Sequence, residues 1–145
     1  MIALIQRVTQ ANVSVDGIQI GTIERGIMAL IAVEKQDNEK SAQRLFERIV
    51  SYRIFPDAED RMNLNLQAIQ GGLLLIPQFT LAADTNSGNR PSFTPAASPE
   101  KGAELFNYFV SYAKNNFPNI QTGQFGADMQ VALINDGPVT FTLKV

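Results

Sequence analysis

The sequence contains no cysteine, no histidine and no tryptophan. Without cysteine there is no disulfide framework, no thiol nucleophile and no thiolate metal site. Without histidine there is no Ser-His-Asp or Cys-His catalysis, no imidazole-bound zinc and no base with an unperturbed pKa near neutrality. Charge is sparse as well: 12 Lys and Arg stand against 14 Asp and Glu, a formal net charge of −2, and only 18% of residues are charged. This composition excludes a disordered chain and a highly charged coiled coil. It also gives no global attraction to nucleic acid, so any such contact needs a local basic patch. Long apolar runs are missing too. Met1 to Ile5 is apolar, but Gln6 and Arg7 end it far short of a secretory core. Nothing approaches the ~20 apolar residues that cross a bilayer, so the expected location is the cytoplasm, without membrane contact.

What is present is a chain of 145 residues, 45% of them hydrophobic, which is enough for one domain with a real core. Its first third reads as β. Ile2 to Val8 is a mostly apolar strand, and Val13, Val15, Ile18 and Ile20 alternate around the hairpin signal Asp16-Gly17. Gly26 precedes a continuous run from Ile27 to Val33, which suits a strand buried on both faces. Ala42, Leu45, Phe46, Ile49 and Val50 then form the apolar stripe of a helix from about Asn38 to Arg53. Its Lys40, Arg44 and Arg48 stand four apart and share one face, either a solvated surface or a phosphate contact.

Pro56 to Gln70 is irregular and acidic, and it fails as a calcium loop. Counting from Asp57, Arg61 and Met62 hold the positions that require an oxygen ligand and a glycine. Gly71-Gly72 opens a buried strand from Leu73 that continues through Pro77 to Leu81. Pro77 cannot donate to a ladder, so Gln78 and Thr80 sit where regular pairing breaks. A long polar loop, Ala82 to Ala97, leads to Ser98-Pro99, an N-cap and first-turn pair for a second helix. That helix buries Leu105, Phe106, Phe109, Val110 and Ala113. Two strands, Ala127 to Ile134 and Val139 to Val145, then flank Asn135-Asp136-Gly137-Pro138. The order of elements predicts a single α+β domain over residues 1–145, with curved, barrel-like β-sheet layers and two helices packed outside.

No phosphate-binding loop, dinucleotide fingerprint or nucleophile elbow is present. Two unusual places remain: the strand end at Pro77 to Leu81 and the dipeptide Gly137-Pro138. Taken singly, each has an ordinary reading, a β-favouring Thr and a hairpin turn.

Taken together, Gln78-Phe79-Thr80-Leu81 with Ala82-Ala83-Asp84-Thr85, and Asn135-Asp136-Gly137-Pro138-Val139-Thr140, resemble the two signature motifs of the D-aminoacyl-tRNA (D-tyrosyl-tRNA) deacylases. The likeness covers essentially the whole chain. It includes Ile5-Gln6-Arg7-Val8, Tyr52-Arg53-Ile54-Phe55, Met62-Asn63-Leu64-Asn65, Arg90-Pro91-Ser92-Phe93 and Ala127-Asp128-Met129-Gln130-Val131. One departure is Pro77, where the family usually has Ser.

The resemblance implies a translation proofreading enzyme. It would be a homodimer with its active site at the subunit interface, hydrolysing the ester that joins a D-amino acid, or glycine mischarged on the alanine tRNA, to the terminal adenosine. By motif, Gly137 and Pro138 would form a cis dipeptide that filters chirality from the partner subunit, with Arg7 fixing it. Gln78, Phe79 and Thr80 would line the scissile ester, and Met129 and Phe125 would flank the adenosine. No cofactor and no metal is implied.

Such chemistry suits a chain without histidine. An aminoacyl ester is already activated, the neighbouring ribose 2′-OH can assist, and the protein needs only to hold the ester and stabilise the oxyanion. Backbone N–H groups near Phe79 and Thr80 fit that role, one such donor contributing about 3 to 4 kcal/mol. A covalent Thr80 nucleophile is the alternative, although the sequence offers it no obvious base. Candidate tRNA contacts are Lys35, Lys40, Arg44, Arg48, Arg53 and Arg90. A non-catalytic nucleic-acid-binding module on the same scaffold is the rival reading.

Overall fold

The apolar and β-branched run at the start of the chain forms one strand rather than two. In the computed structural model, which describes residues 1–145, β1 runs unbroken over Ile2–Val15. The hairpin at Asp16-Gly17, both with positive φ, turns it into β2, Ile18–Ile23. β3 is Gly26–Ala32. α1 spans Glu39–Ser51, and the Asn38 side chain caps it by accepting from the N–H groups of Lys40 and Ser41. A small hairpin, β4 Phe55–Pro56 with β5 Met62–Leu64, overlaps the start of the Pro56 to Gln70 segment expected to be irregular. The acidic cluster there is locally satisfied, since Asp57 Oδ1 accepts the N–H groups of Glu59 and Arg61.

β6, Gly72–Pro77, ends at the proline. The next residues, Phe79–Ala82, form a 3-10 turn and not the strand continuation read from the sequence. α2 is Pro99–Asn116 with Ser98 as its cap. A short strand that the sequence reading did not identify, β7 at Ile120–Thr122, follows. The last element, β8, covers Gln130–Lys144 in one strand. Two strands around a turn were expected. The dipeptide is instead a wide bulge within continuous pairing to β1.

The main sheet has the order β2-β1-β3-β6-β7, with β8 on the other edge of β1. β1 is the spine. Its first half pairs with β3, its second half with β2, and β8 runs along both halves. β6 and β7 add in parallel. β3 and β6 are buried on both faces, which explains their continuous apolar runs. Leu73 and Leu75 face the helices and the larger core, while Leu74 and Ile76 face a smaller core with Val8, Ala11, Val13 and Met28. The larger core includes Leu45, Phe46 and Ile49 of α1 and Phe109 of α2, with Phe46 and Phe109 meeting edge to face at 6.3 Å. Full burial of one such side chain contributes about 2 kcal/mol. The architecture is a single α+β domain, a nearly closed curved sheet with two helices outside, as expected. No helix is long and apolar enough to cross a membrane.

β3 and β6 meet at a pair of glycines. A Cβ on Gly26 would lie 1.9 Å from the Gly72 carbonyl oxygen, where no rotamer can relieve it. Gly26→Ala is therefore expected to lower stability by about 3 kcal/mol, the upper end of overpacking effects, as measured by urea denaturation.

Candidate active site

β6 ends at Pro77, whose ring nitrogen has no hydrogen to donate on the β7 side of the strand. The chain then leaves the sheet, with the Gln78 N–H donating to the Ile31 carbonyl at 2.7 Å. The 3-10 hydrogen bonds begin at the Leu81 N–H, which donates to the Gln78 carbonyl. As the first two groups of the turn, the N–H groups of Phe79 and Thr80 have no acceptor within it. They are free donors at the end of a buried strand. The Gln78 Nε2 donates to Thr80 Oγ1 at 2.5 Å. Thr80 therefore touches an amide donor, and no carboxylate or amine accepts from it.

Beside this turn lies a cavity of about 490 Å³, within the usual range of small-molecule sites. Gln78, Phe79, Phe125 and Met129 all line it, together with Pro77. Thr80 is not part of the wall, but is exposed next to it and joined to Gln78. The wall is mostly apolar, and at position 77 it presents a proline ring with no hydroxyl. Met129 is held by its sulfur, which accepts the Gln124 N–H at 3.3 Å. The absent Cβ of Gly123 leaves room for that sulfur, since a Cβ there would lie 2.7 Å from it.

The sequence reading missed the opposite wall. Ser98, Pro99, Gly102 and Phe106, at the start of α2, line the cavity, and Phe106 lies 6.3 Å from the Phe125 ring. Ser98 and Pro99 read only as a helix start and Phe106 as core. A glycine inside a helix, costing about 1 kcal/mol against alanine, was the one available signal.

Arg7, Gly137 and Pro138 form a second group, and none of them lines the cavity of their own chain. Gln6 pairs with Thr140 and Val8 with Asn135, so the four residues Asp136 to Val139 stand opposite Arg7 alone. The excess chain projects as an exposed tip at Gly137 and Pro138, whose peptide bond is cis. Gly137 has φ of 148°, and a Cβ there would lie 2.6 Å from Val139 Cγ2. The neck is closed by Asn135, which accepts the Val139 N–H at 2.8 Å and donates to Thr140 Oγ1 at 3.0 Å. Arg7 fixes it from below. Its Nε donates to the Asp136 carbonyl at 2.9 Å and lies 3.3 Å from the Asp136 carboxylate, and its Nη1 donates to the Ile54 carbonyl at 2.8 Å.

The groups with shifted protonation lie elsewhere. Backbone N–H groups of Arg61 and Glu59 hold the Asp57 carboxyl below its usual range. Partial burial and the nearby Glu47 raise the Tyr112 phenol. Neither lines the cavity. Of the basic candidates, Arg48 donates to the Lys144 carbonyl at 2.8 Å and Arg53 is bound to Asn63. Lys35, Lys40, Arg44 and Arg90 are exposed.

Comparison with known proteins gives a consistent result. The family model for D-Tyr-tRNA(Tyr) deacylase matches residues 4–144. A D-aminoacyl-tRNA deacylase of Cupriavidus metallidurans is 58% identical, covering 100% of this chain and 96% of its own. Another from Janthinobacterium sp. (strain Marseille) is 57% identical, covering 100% of this chain and 97% of its own. Among solved structures, the c-Myc DNA Unwinding Element Binding Protein aligns with TM-score 0.95 and 35% identity, covering 100% of this chain and 99% of that one. A probable eukaryotic D-amino acid tRNA deacylase aligns with TM-score 0.82 over 99% of this chain and 98% of that one, at 16% identity, and so shares the fold.

Arg7→Ala would leave two backbone carbonyls and the Asp136 carboxylate without their donor. Stability should fall by about 2 kcal/mol, and hydrogen exchange at Asp136 to Val139 should accelerate. Arg7→Lys should recover little, because one ammonium cannot reproduce the forked geometry. By full-length sequence match and by fold, the chain belongs to the D-aminoacyl-tRNA deacylase family of ester hydrolases.

Proposed function

We propose that this protein is a cytoplasmic proofreading enzyme. It hydrolyses the ester between a D-amino acid, or glycine mischarged on the alanine tRNA, and the terminal adenosine of tRNA. The observation that carries this reading is the meeting of an apolar cavity with the free N–H groups of Phe79 and Thr80. In it, Phe125 and Met129 flank the adenosine. The ester carbonyl points at the two N–H groups, which stabilise the oxyanion as it forms. Water attacks the carbonyl carbon while the ribose 2′-OH orients it, the bond to the 3′-oxygen breaks, and the proton that water gives up ends on that oxygen as the 3′-hydroxyl. Thr80 and Gln78 position the ester. The side-chain geometry supports this over a covalent route, since Thr80 has an amide donor and no base beside it.

Chirality is read by exclusion. The carbonyls of Gly137 and Pro138 accept hydrogen bonds from the α-ammonium group, so ammonium and ester are both fixed. The L side chain then points into the dipeptide and clashes, while D side chains and glycine pass. Separation of the tip from its own chain's cavity supports a homodimer in which each copy's tip enters the other's cavity. tRNA contact falls to exposed Lys35, Lys40, Arg44 and Arg90 ahead of the engaged Arg48 and Arg53.

A second reading is a nucleic-acid-binding protein without turnover, favoured by the name of the 35%-identical structure. The two separate in one assay. Purified protein incubated with D-tyrosyl-tRNA and L-tyrosyl-tRNA should release D-tyrosine and leave the L ester intact, whereas binding without release supports the second reading. Replacing the terminal 2′-OH by hydrogen should slow single-turnover release at saturating protein by about a hundredfold. An unchanged rate contradicts assistance by the substrate.

A further inference from the structure

Phe79 and Phe93 form an unusual pair on the surface. Both are large and apolar, yet they are 57% and 41% exposed. Their ring centroids are 5.1 Å apart and the planes are tilted by 52°, so the rings splay and do not cover one another. Phe93 is held in place by backbone bonds more than by burial. The Asp84 and Ser92 backbones exchange hydrogen bonds at 2.8 and 3.0 Å, and the Ala96 N–H closes on the Phe93 carbonyl at 3.0 Å. A closed loop thus presents an aromatic ring to solvent beside Phe79. Phe79 also lines the cavity, so the exposed pair and the cavity form one continuous surface. Exposed Arg90 lies two residues before Ser92 on the same loop.

We propose that the Phe79–Phe93 pair is a stacking platform for the nucleobase preceding the terminal adenosine, with Arg90 near the linking phosphate. The inference rests on the deacylase reading and extends it to a second nucleotide. If the cavity takes the terminal nucleoside and its aminoacyl group, a single-stranded end must leave over the adjoining surface. Bases stack on exposed aromatic side chains without regard to sequence, because every base has a π-face. Arginine complements the backbone charge. The platform accordingly binds a nucleotide common to all tRNA ends and selects no particular tRNA.

Steady-state kinetics on two substrates tests the proposal. One is D-tyrosyl-tRNA and the other is 2′(3′)-O-D-tyrosyladenosine, which carries no second nucleotide. Phe93→Ala removes the ring, and Phe93→Leu keeps an apolar contact while removing the π-face. Both variants should raise KM for the tRNA by about tenfold or more with kcat nearly kept, and move KM for the nucleoside ester by less than about twofold. Equal losses on both substrates overturn the proposal, as does an unchanged KM for the tRNA. Conversion of a dimeric parent to monomers by Phe93→Leu, measured by sedimentation, assigns the patch to a subunit contact and overturns it too. A parent inactive on both esters overturns the deacylase reading itself. An active parent with unaffected variants overturns the platform alone.

Discussion

The guanidinium of Arg7 joins three parts of the chain: β1, the segment before β4 and the bulge of β8. It extends from the middle of β1, bonds the Ile54 carbonyl just before β4, and bonds the Asp136 carbonyl where β8 bulges away. β1 is also where the fold divides. Its first half faces the helix-covered core through Ala3 and Ile5, and its second half faces the smaller core through Ala11 and Val13. An extra residue of β1 between Val8 and Gln10, which face the consecutive Asn135 and Ile134, lets one strand serve both, because a one-residue slip moves the buried set to the other face. The four-against-one bulge opposite Arg7 lies on the other side of Val8. The projecting tip and the change of core along β1 therefore meet at Arg7 and Val8.

The candidate site is built on the same economy of side-chain chemistry. Its free donors are backbone groups exposed by the end of β6 and the start of a 3-10 turn. Its walls come from β3, β6, the start of α2 and the segment before β8. A mostly apolar wall leaves few groups to compete for the ester or to scatter its charge. The absence of histidine and cysteine fits a substrate that brings an activated ester and its own hydroxyl. The Pro77 ring, where the resembled family usually has Ser, adds no hydroxyl to that wall. The proposed chemistry uses none there.

Local pattern made parts of this legible and left others hidden. α1 was readable because Ala42, Leu45, Phe46 and Ile49 repeat at the helical period and Asn38 caps the first turn. The apolar runs of β3 and β6 were readable because both faces are buried. Asp136-Gly137-Pro138 has the chemistry of a turn, and only the tertiary bonds of Arg7 and Asn135 make it a bulge within one strand. Gln78 to Leu81 alternates like a strand, yet the chain turns there once Gln78 has made its bond to Ile31 of β3. β7 is three residues long and exists because β6 offers it an edge. Gln78, Phe79, Phe125 and Met129 converge on one cavity, although they come from distant parts of the sequence. The α2 wall of that cavity is tertiary and left only Gly102 as a trace.

In the proposed mechanism backbone donors and the substrate's own hydroxyl suffice, and Thr80 positions the ester without becoming acylated. Intact-mass spectrometry of a rapidly quenched single turnover with D-tyrosyl-tRNA tests it most directly. An unmodified chain is expected at every time point while D-tyrosine is released. A transient tyrosyl adduct mapping to Thr80, rising and decaying with turnover, would contradict it.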